Sequence, residues 1–121
     1  MKIDFKSVER FLKAPDKAAR AILVFGPDDG LVRERAAALA RTVVEDLADP
    51  FRVAEFAGDL LASDPAKLAD EAAALAFGGG RRVVRVRGCG NAAAPAFKSF
   101  LDNPLGDALV VAEAGELDTR S

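Results

Sequence analysis

Two uninterrupted apolar runs limit what this chain can become. Ala21-Ile22-Leu23-Val24-Phe25 contains no polar residue and stops at Gly26-Pro27, and Ala108-Leu109-Val110-Val111-Ala112 repeats the pattern near the other end. A strand with one wet face alternates apolar and polar residues. A strand without alternation is buried on both faces, as in the centre of a parallel sheet with helices on either side. Half of the 121 residues are hydrophobic and 30% are charged, which suits one soluble domain with a real core, or a piece of something larger.

The segments between the two runs support the same architecture. Asp28-Asp29-Gly30 leads into a helical pattern that extends to about Leu47, with Val32, Ala36, Leu39, Val43 and Leu47 on one face. Asp28 or Asp29 is a suitable N-cap. Phe51 to Phe56 alternates around Glu55 and reads as a second strand. Ser63-Asp64-Pro65 predicts the next helix start, with Ser63 or Asp64 as cap and Pro65 in the first turn. That helix carries Leu68, Ala72, Leu75 and Ala76 and runs to Phe77-Gly78-Gly79-Gly80, where glycine suits a helix C-terminus. Arg82 to Arg87 reads as a third strand and residues 92 to 102 as a helix interrupted or begun around Pro95. A short amphipathic helix is expected over residues 4 to 13. The order is helix, strand-helix three times, then strand: an α/β fold with a mostly parallel sheet flanked by helices.

Composition removes several kinds of chemistry. There is no histidine, so Ser-His, Cys-His and His-metal sites are excluded from this polypeptide. The single cysteine, Cys89, excludes a disulfide framework and a Cys-rich zinc site; a lone thiol suits a reducing compartment, and a cytoplasmic protein is expected. Lys plus Arg number 17 against 19 Asp plus Glu, a net charge of -2, which argues against gripping nucleic acid by bulk charge. Met1 to Lys13 shows no signal-peptide core, and no stretch is long enough to span a bilayer.

Ligands of parallel sheets bind at the carboxyl ends of the strands, so the loop Gly26-Pro27-Asp28-Asp29-Gly30-Leu31-Val32-Arg33 deserves the closest reading. A phosphate loop counted from Gly26 would need glycine at Leu31, lysine at Val32 and a hydroxyl residue at Arg33. All three are missing, and two carboxylates stand where polyphosphate would lie. The rival reading is a receiver-like phosphoacceptor, in which Asp28 and Asp29 hold Mg²⁺ beside a third aspartate. Asp59 fits that role badly because it follows the second strand, and no strand-end lysine is present. Capping is the commoner use of such a pair.

Four further features carry possible function. Phe77, on composition alone, makes the apolar contact that accompanies a glycine C-cap; exposed, it would anchor a partner's pocket. Arg81, Arg82, Arg85 and Arg87 crowd one short strand, with Arg81, Arg85 and Arg87 on the side of Val83. That pattern predicts a solvated edge strand, ahead of an electrostatic contact to phosphate, DNA or an acidic partner. Cys89 has no base to activate it, and Glu113 is expected as a strand-end carboxylate in water rather than a metal ligand.

Ile22 to Arg35, with its Phe25-Gly26-Pro27-Asp28-Asp29-Gly30-Leu31-Val32-Arg33-Glu34 core, resembles the opening of the delta subunits of the bacterial DNA polymerase III clamp loader. Asp49-Pro50-Phe51, Phe77-Gly78, Arg81-Arg82-Val83-Val84 and Val110 to Asp118 fit the same pattern, over essentially the whole chain. The resemblance implies an AAA+-like core with a degenerate P-loop, here the first of three domains (1–121), the later ones belonging to a longer chain. Asp118 and Thr119, helix-cap residues just before the last two residues, agree with that expectation. It further implies a non-catalytic subunit, without cofactor or membrane contact, of a nucleotidyltransferase complex in DNA replication. Such a domain inserts a Leu-Phe pair into the sliding clamp, helps open the ring, meets other loader subunits through its C-terminal part, and reaches DNA through the complex. The matching segment is Leu75-Ala76-Phe77-Gly78, without an adjacent Leu-Phe. Aligned on Phe77, Ala76 takes the leucine place; aligned on Arg81, Phe77 takes it and Gly78 follows. The reading adopted is Phe77 supported by Leu75.

Overall fold

The computed structural model describes residues 2–3, 21–74, 81–89, 94–102 and 108–114. Among these residues five strands form one parallel sheet: β1 Lys2–Ile3, β2 Ala21–Val24, β3 Val53–Ala57, β4 Val83–Cys89 and β5 Leu109–Ala114. Their spatial order is β1-β2-β5-β4-β3. Among the described residues four helices connect them: α1 Asp29–Ala40 after β2, α2 Gly58–Ser63 and α3 Ala66–Ala73 after β3, and α4 Ala94–Asp102 between β4 and β5. The helix expected over residues 4 to 13 lies outside the described residues.

Alternation of side chains divides the core into two layers. On one face α1 contributes Val32, Ala36, Leu39 and Ala40 against Ile22, Val24, Val53, Val83, Leu109 and Val111. On the other, Leu61 of α2, Leu68 and Ala72 of α3, and Ala96 and Phe100 of α4 cover Val84, Val86, Val110 and Ala112. Every residue of β5 is buried, as the unbroken apolar run requires of a strand covered on both sides. No helix among the described residues is long and apolar enough to cross a membrane.

Three elements differ from the sequence expectation. The helix expected to reach Leu47 ends at Ala40. Thr42-Val43-Val44 is a β-branched run that resists continuation. The chain tightens there: Thr42 N–H bonds to Leu39 O, Val43 N–H to Ala40 O, and the Thr42 hydroxyl donates to Leu39 O at 2.7 Å. Val43 and Leu47 still pack on the α1 layer, so their periodicity recorded burial rather than helix.

Neither Ser63 nor Asp64 caps the next helix. Ser63 is the last residue of α2, its hydroxyl donating to Leu60 O, and α3 starts after Pro65 without a side-chain cap. α3 then stops at Ala73, because Ala74 turns extended (ψ 141°), short of the expected Phe77. In contrast, α4 begins as anticipated, with Pro95 in its first turn, where proline's missing N–H costs nothing.

The third difference is the arginine strand. β4 is an interior strand between β3 and β5, not the solvated edge that its charges predicted. Arg82 and Arg85 are buried. An interior strand tolerates them because each guanidinium meets carboxylate or carbonyl oxygen supplied by distant segments, as described next.

Candidate functional site

The carboxyl ends of β2, β4 and β5 meet the N-terminus of α1 at a small cleft. Asp29, Val32, Arg33, Arg87, Gly88, Glu113 and Ala114 line it, and its volume is about 190 Å³. This is the position at which an open parallel sheet takes its ligand. Asp28 is the N-cap of α1, in extended conformation, and its carboxylate accepts the Leu31 N–H at 3.1 Å. The Asp28 carbonyl accepts the first helical bond, from Val32 N–H, at 3.0 Å. The capping expected of the Asp28-Asp29 pair therefore falls to Asp28. Asp29 follows in the first turn, where a negative charge favours the helix dipole.

Gly88 shapes the wall of the cleft. β4 and β5 run in register to Val86 and Ala112 and resume at Cys89 and Ala114, so Arg87-Gly88 bulges opposite Glu113. Gly88 has φ +66°, a left-handed conformation that a side chain disfavours, although a Cβ there would meet open space. The glycine is needed for its backbone and not for clearance.

Below the bulge sits an ionic cluster. Arg85, 5% exposed, places Nη2 3.4 Å from Glu113 Oε2 and Nη1 3.9 Å from Glu55 Oε2. Arg87 places Nη2 3.0 Å from Glu55 Oε1 and Nε 3.8 Å from Glu113 Oε2. Two cations and two anions balance, and both carboxylates bridge both arginines. Glu113 is thus buried and paired, contrary to the expectation of a carboxylate in water. Glu55 was not singled out in the sequence. A signal existed: Val53-x-Glu55, Val83-x-Arg85-x-Arg87 and Val111-x-Glu113 put charges of opposite sign on the same face of three strands.

The cleft has the place of a nucleotide site and little of its chemistry. The amide of Leu31 is taken by the protein's own carboxylate, and the arginines of the lining, Arg33 and Arg87, stand beside the carboxylates Asp29 and Glu113, which offset their charge. About 190 Å³ is also below the roughly 300–1,000 Å³ usual for a small-molecule pocket. The magnesium-phosphoacceptor reading loses its scaffold as well. Receiver-type sheets follow the order 2-1-3-4-5, whereas here the strand that leads into Asp28-Asp29, β2, neighbours β1 and β5. Asp59 lies in the first turn of α2. Among the described residues no three acidic or thiol side chains converge as a metal site.

Arg82 serves a different contact. Its Nη1 donates to the main-chain carbonyl of Glu71 at 2.7 Å and its Nη2 to Glu71 Oε2 at 3.4 Å. Lys67 Nζ donates to Glu71 Oε1 at 2.9 Å. The Lys67 hydrogen bond, assisted by Arg82 and opposed by partial burial, holds the Glu71 carboxyl below the usual glutamate range. The same bond raises Lys67. Arg81 is half-buried. The segment Leu75-Ala76-Phe77-Gly78 and its flanking glycines lie outside the described residues, as does the side chain of Cys89.

No protein-family model matches this sequence, and no curated protein does. Among solved structures, the Bacillus subtilis DNA clamp loader delta protein is similar with a TM-score of 0.68 over 96% of this chain, at 21% identity. A DNA polymerase III gamma subunit-related protein of Thermotoga maritima is similar with a TM-score of 0.61 over 91%, also at 21% identity. The chain spans 37% and 38% of those two proteins. At such identity the likeness establishes the fold: an α/β domain whose parallel sheet is flanked by helices, as in these two structures.

Proposed function

We propose that this chain is the clamp-contacting, N-terminal AAA+-like domain of a clamp-loader subunit of delta type, acting in DNA replication without ATP hydrolysis of its own. The observation that carries the reading is the fold likeness, over 96% of the chain, to a clamp loader delta protein. The cleft chemistry supports its second half: a capped helix terminus and a self-neutralising ionic cluster stand where a nucleotide would need lysine, hydroxyl and free amides. Further domains, in a longer chain, would join the other loader subunits.

In this reading the working part is Leu75-Ala76-Phe77-Gly78, with Phe77 as the inserted anchor and Leu75 in support. Transfer of a large apolar side chain into a preformed pocket supplies on the order of 2 kcal/mol. Ring opening follows only if the domain binds the opened clamp better than the closed one. Arg82 and Arg85, buried and internally paired, are unsuited to direct DNA contact. The test is a titration against purified sliding clamp. Phe77→Ala is expected to weaken binding at least about tenfold, the worth of roughly 1.4 kcal/mol, with the unfolding midpoint unchanged. ATP with Mg²⁺ is expected to leave that midpoint unmoved. Equal affinity of the variant, or a midpoint raised by ATP with Mg²⁺, would refute the reading.

A further inference from the structure

Among the described residues β3 is the last strand of the sheet, and its outer edge is open. Val83 N–H bonds to Arg52 O at 2.8 Å, which turns the peptide groups of Arg52, and by alternation those of Ala54 and Phe56, toward β4. Val53, Glu55 and Ala57 therefore present theirs to the outside. Part of that set is used within the domain. Val53 N–H bonds to Asp49 O at 3.0 Å, and the Ala57 carbonyl begins α2, of which Ala57 is the N-cap residue. Left open among the described residues are Val53 O, the N–H and carbonyl of Glu55, and Ala57 N–H.

Soluble proteins discourage pairing at such an edge with lysine, proline or a bulge. β3 has none of these. Val53-Ala54-Glu55-Phe56-Ala57 pairs with β4 without a shift of register. Its one charge is drawn onto Arg87 at 3.0 Å and Arg85 at 3.9 Å. Glu55 and Ala57 are exposed, and the exposed apolar side chains Phe51 and Leu60 flank the strand at its two ends.

The open groups are complementary to themselves. A copy turned about a two-fold axis at Glu55 runs antiparallel to β3. Glu55 then exchanges both main-chain bonds with its counterpart, and Ala57 N–H of each copy meets Val53 O of the other. No open group is left over. The same rotation brings Phe51 of one copy level with Leu60 of the other along the edge, at both ends. Like charges directly opposite each other are unfavourable, but each Glu55 carboxylate already has its own arginine. We propose that β3 is a self-association edge, pairing antiparallel with β3 of a second copy of this chain and continuing the sheet across both. The inference is independent of docking through Phe77.

The test is sedimentation equilibrium of the 121-residue chain from about 1 μM to about 1 mM. A monomer–dimer equilibrium is expected, and Ala57→Pro is expected to weaken it at least about tenfold, because half of the bonds across the edge are lost. Proline suits this position. Its φ of −79° lies within the range that the ring fixes, and its N–H makes no bond within the domain. Amide hydrogen exchange of the parent chain gives a second readout, which decides the matter even if the proline variant unfolds. The Glu55 and Ala57 amides are expected to exchange more slowly as concentration rises. A monomer at every concentration would overturn the proposal and leave the edge to a strand of a different protein. A dimer that a folded Ala57→Pro variant leaves unchanged, or in which those two amides gain no protection, would overturn it as well.

Discussion

Replacing Glu113 by alanine tests whether the cluster at the strand ends is an interior feature. Glu113 supplies the nearest oxygen to Arg85, at 3.4 Å, and both side chains are more than nine-tenths buried. Removing one member of a buried pair leaves the other charge uncompensated, which costs roughly 3–5 kcal/mol. Arg85 keeps Glu55, though at 3.9 Å and on a side chain 38% exposed, so the lower end of that range applies, about 3 kcal/mol. For a domain of this size that corresponds to a fall in Tm of about 12 °C. Urea unfolding provides the assay, because a shifted midpoint at constant slope reports stability alone. The double replacement Arg85→Met with Glu113→Leu removes both charges and leaves Arg87 with Glu55 at 3.0 Å. It is expected to stay within about 1 kcal/mol of the parent. A loss below about 1 kcal/mol for Glu113→Ala at unchanged slope would mean that water reaches Arg85, and the reasoning fails.

Three other outcomes follow from the same geometry. Asp28→Ala orphans the Leu31 amide and is expected to lower stability by about 1 kcal/mol, read by urea unfolding, with Asp28→Ser restoring most of it. Gly88→Ala places a side chain at φ +66° without a clash; the expected loss is about 1–2 kcal/mol, also by urea midpoint. Glu71 is held below its ordinary value when folded, so its contribution is complete above the ordinary glutamate range and disappears as pH falls through the lowered value. Tm measured against pH should therefore separate parent from Glu71→Gln at neutral pH and bring them together in acid.

The parts of this fold that the sequence discloses are those whose cause is local. The runs at Ala21 and Ala108 both became strands inside the sheet, the second buried throughout and the first with Ile22 and Val24 buried and Ala21 and Leu23 only partly covered. Asp28 announces its helix three residues ahead of the amide that it caps. What stayed hidden depends on remote partners. Arg85 looks like a surface residue until Glu55, thirty positions before it, and Glu113, twenty-eight after it, arrive on the same face. The placement of β4 in the interior rests on that neutralisation, which no window of neighbouring residues contains. Short-range competition hid the rest: Ser63 could cap a new helix or finish the preceding one, and its hydroxyl bonds backward to Leu60. In the candidate site, the lost phosphate loop was legible by counting from Gly26, whereas the ionic cluster beneath it was not.

The most direct measurement places a photo-activated cross-linking side chain at position 77 and, separately, at position 33 on the rim of the cleft, each with the purified sliding clamp. The account predicts cross-links from position 77 into an apolar pocket of the clamp, and none from position 33. Cross-linking from the cleft alone, or from neither position at concentrations that saturate binding, would contradict it.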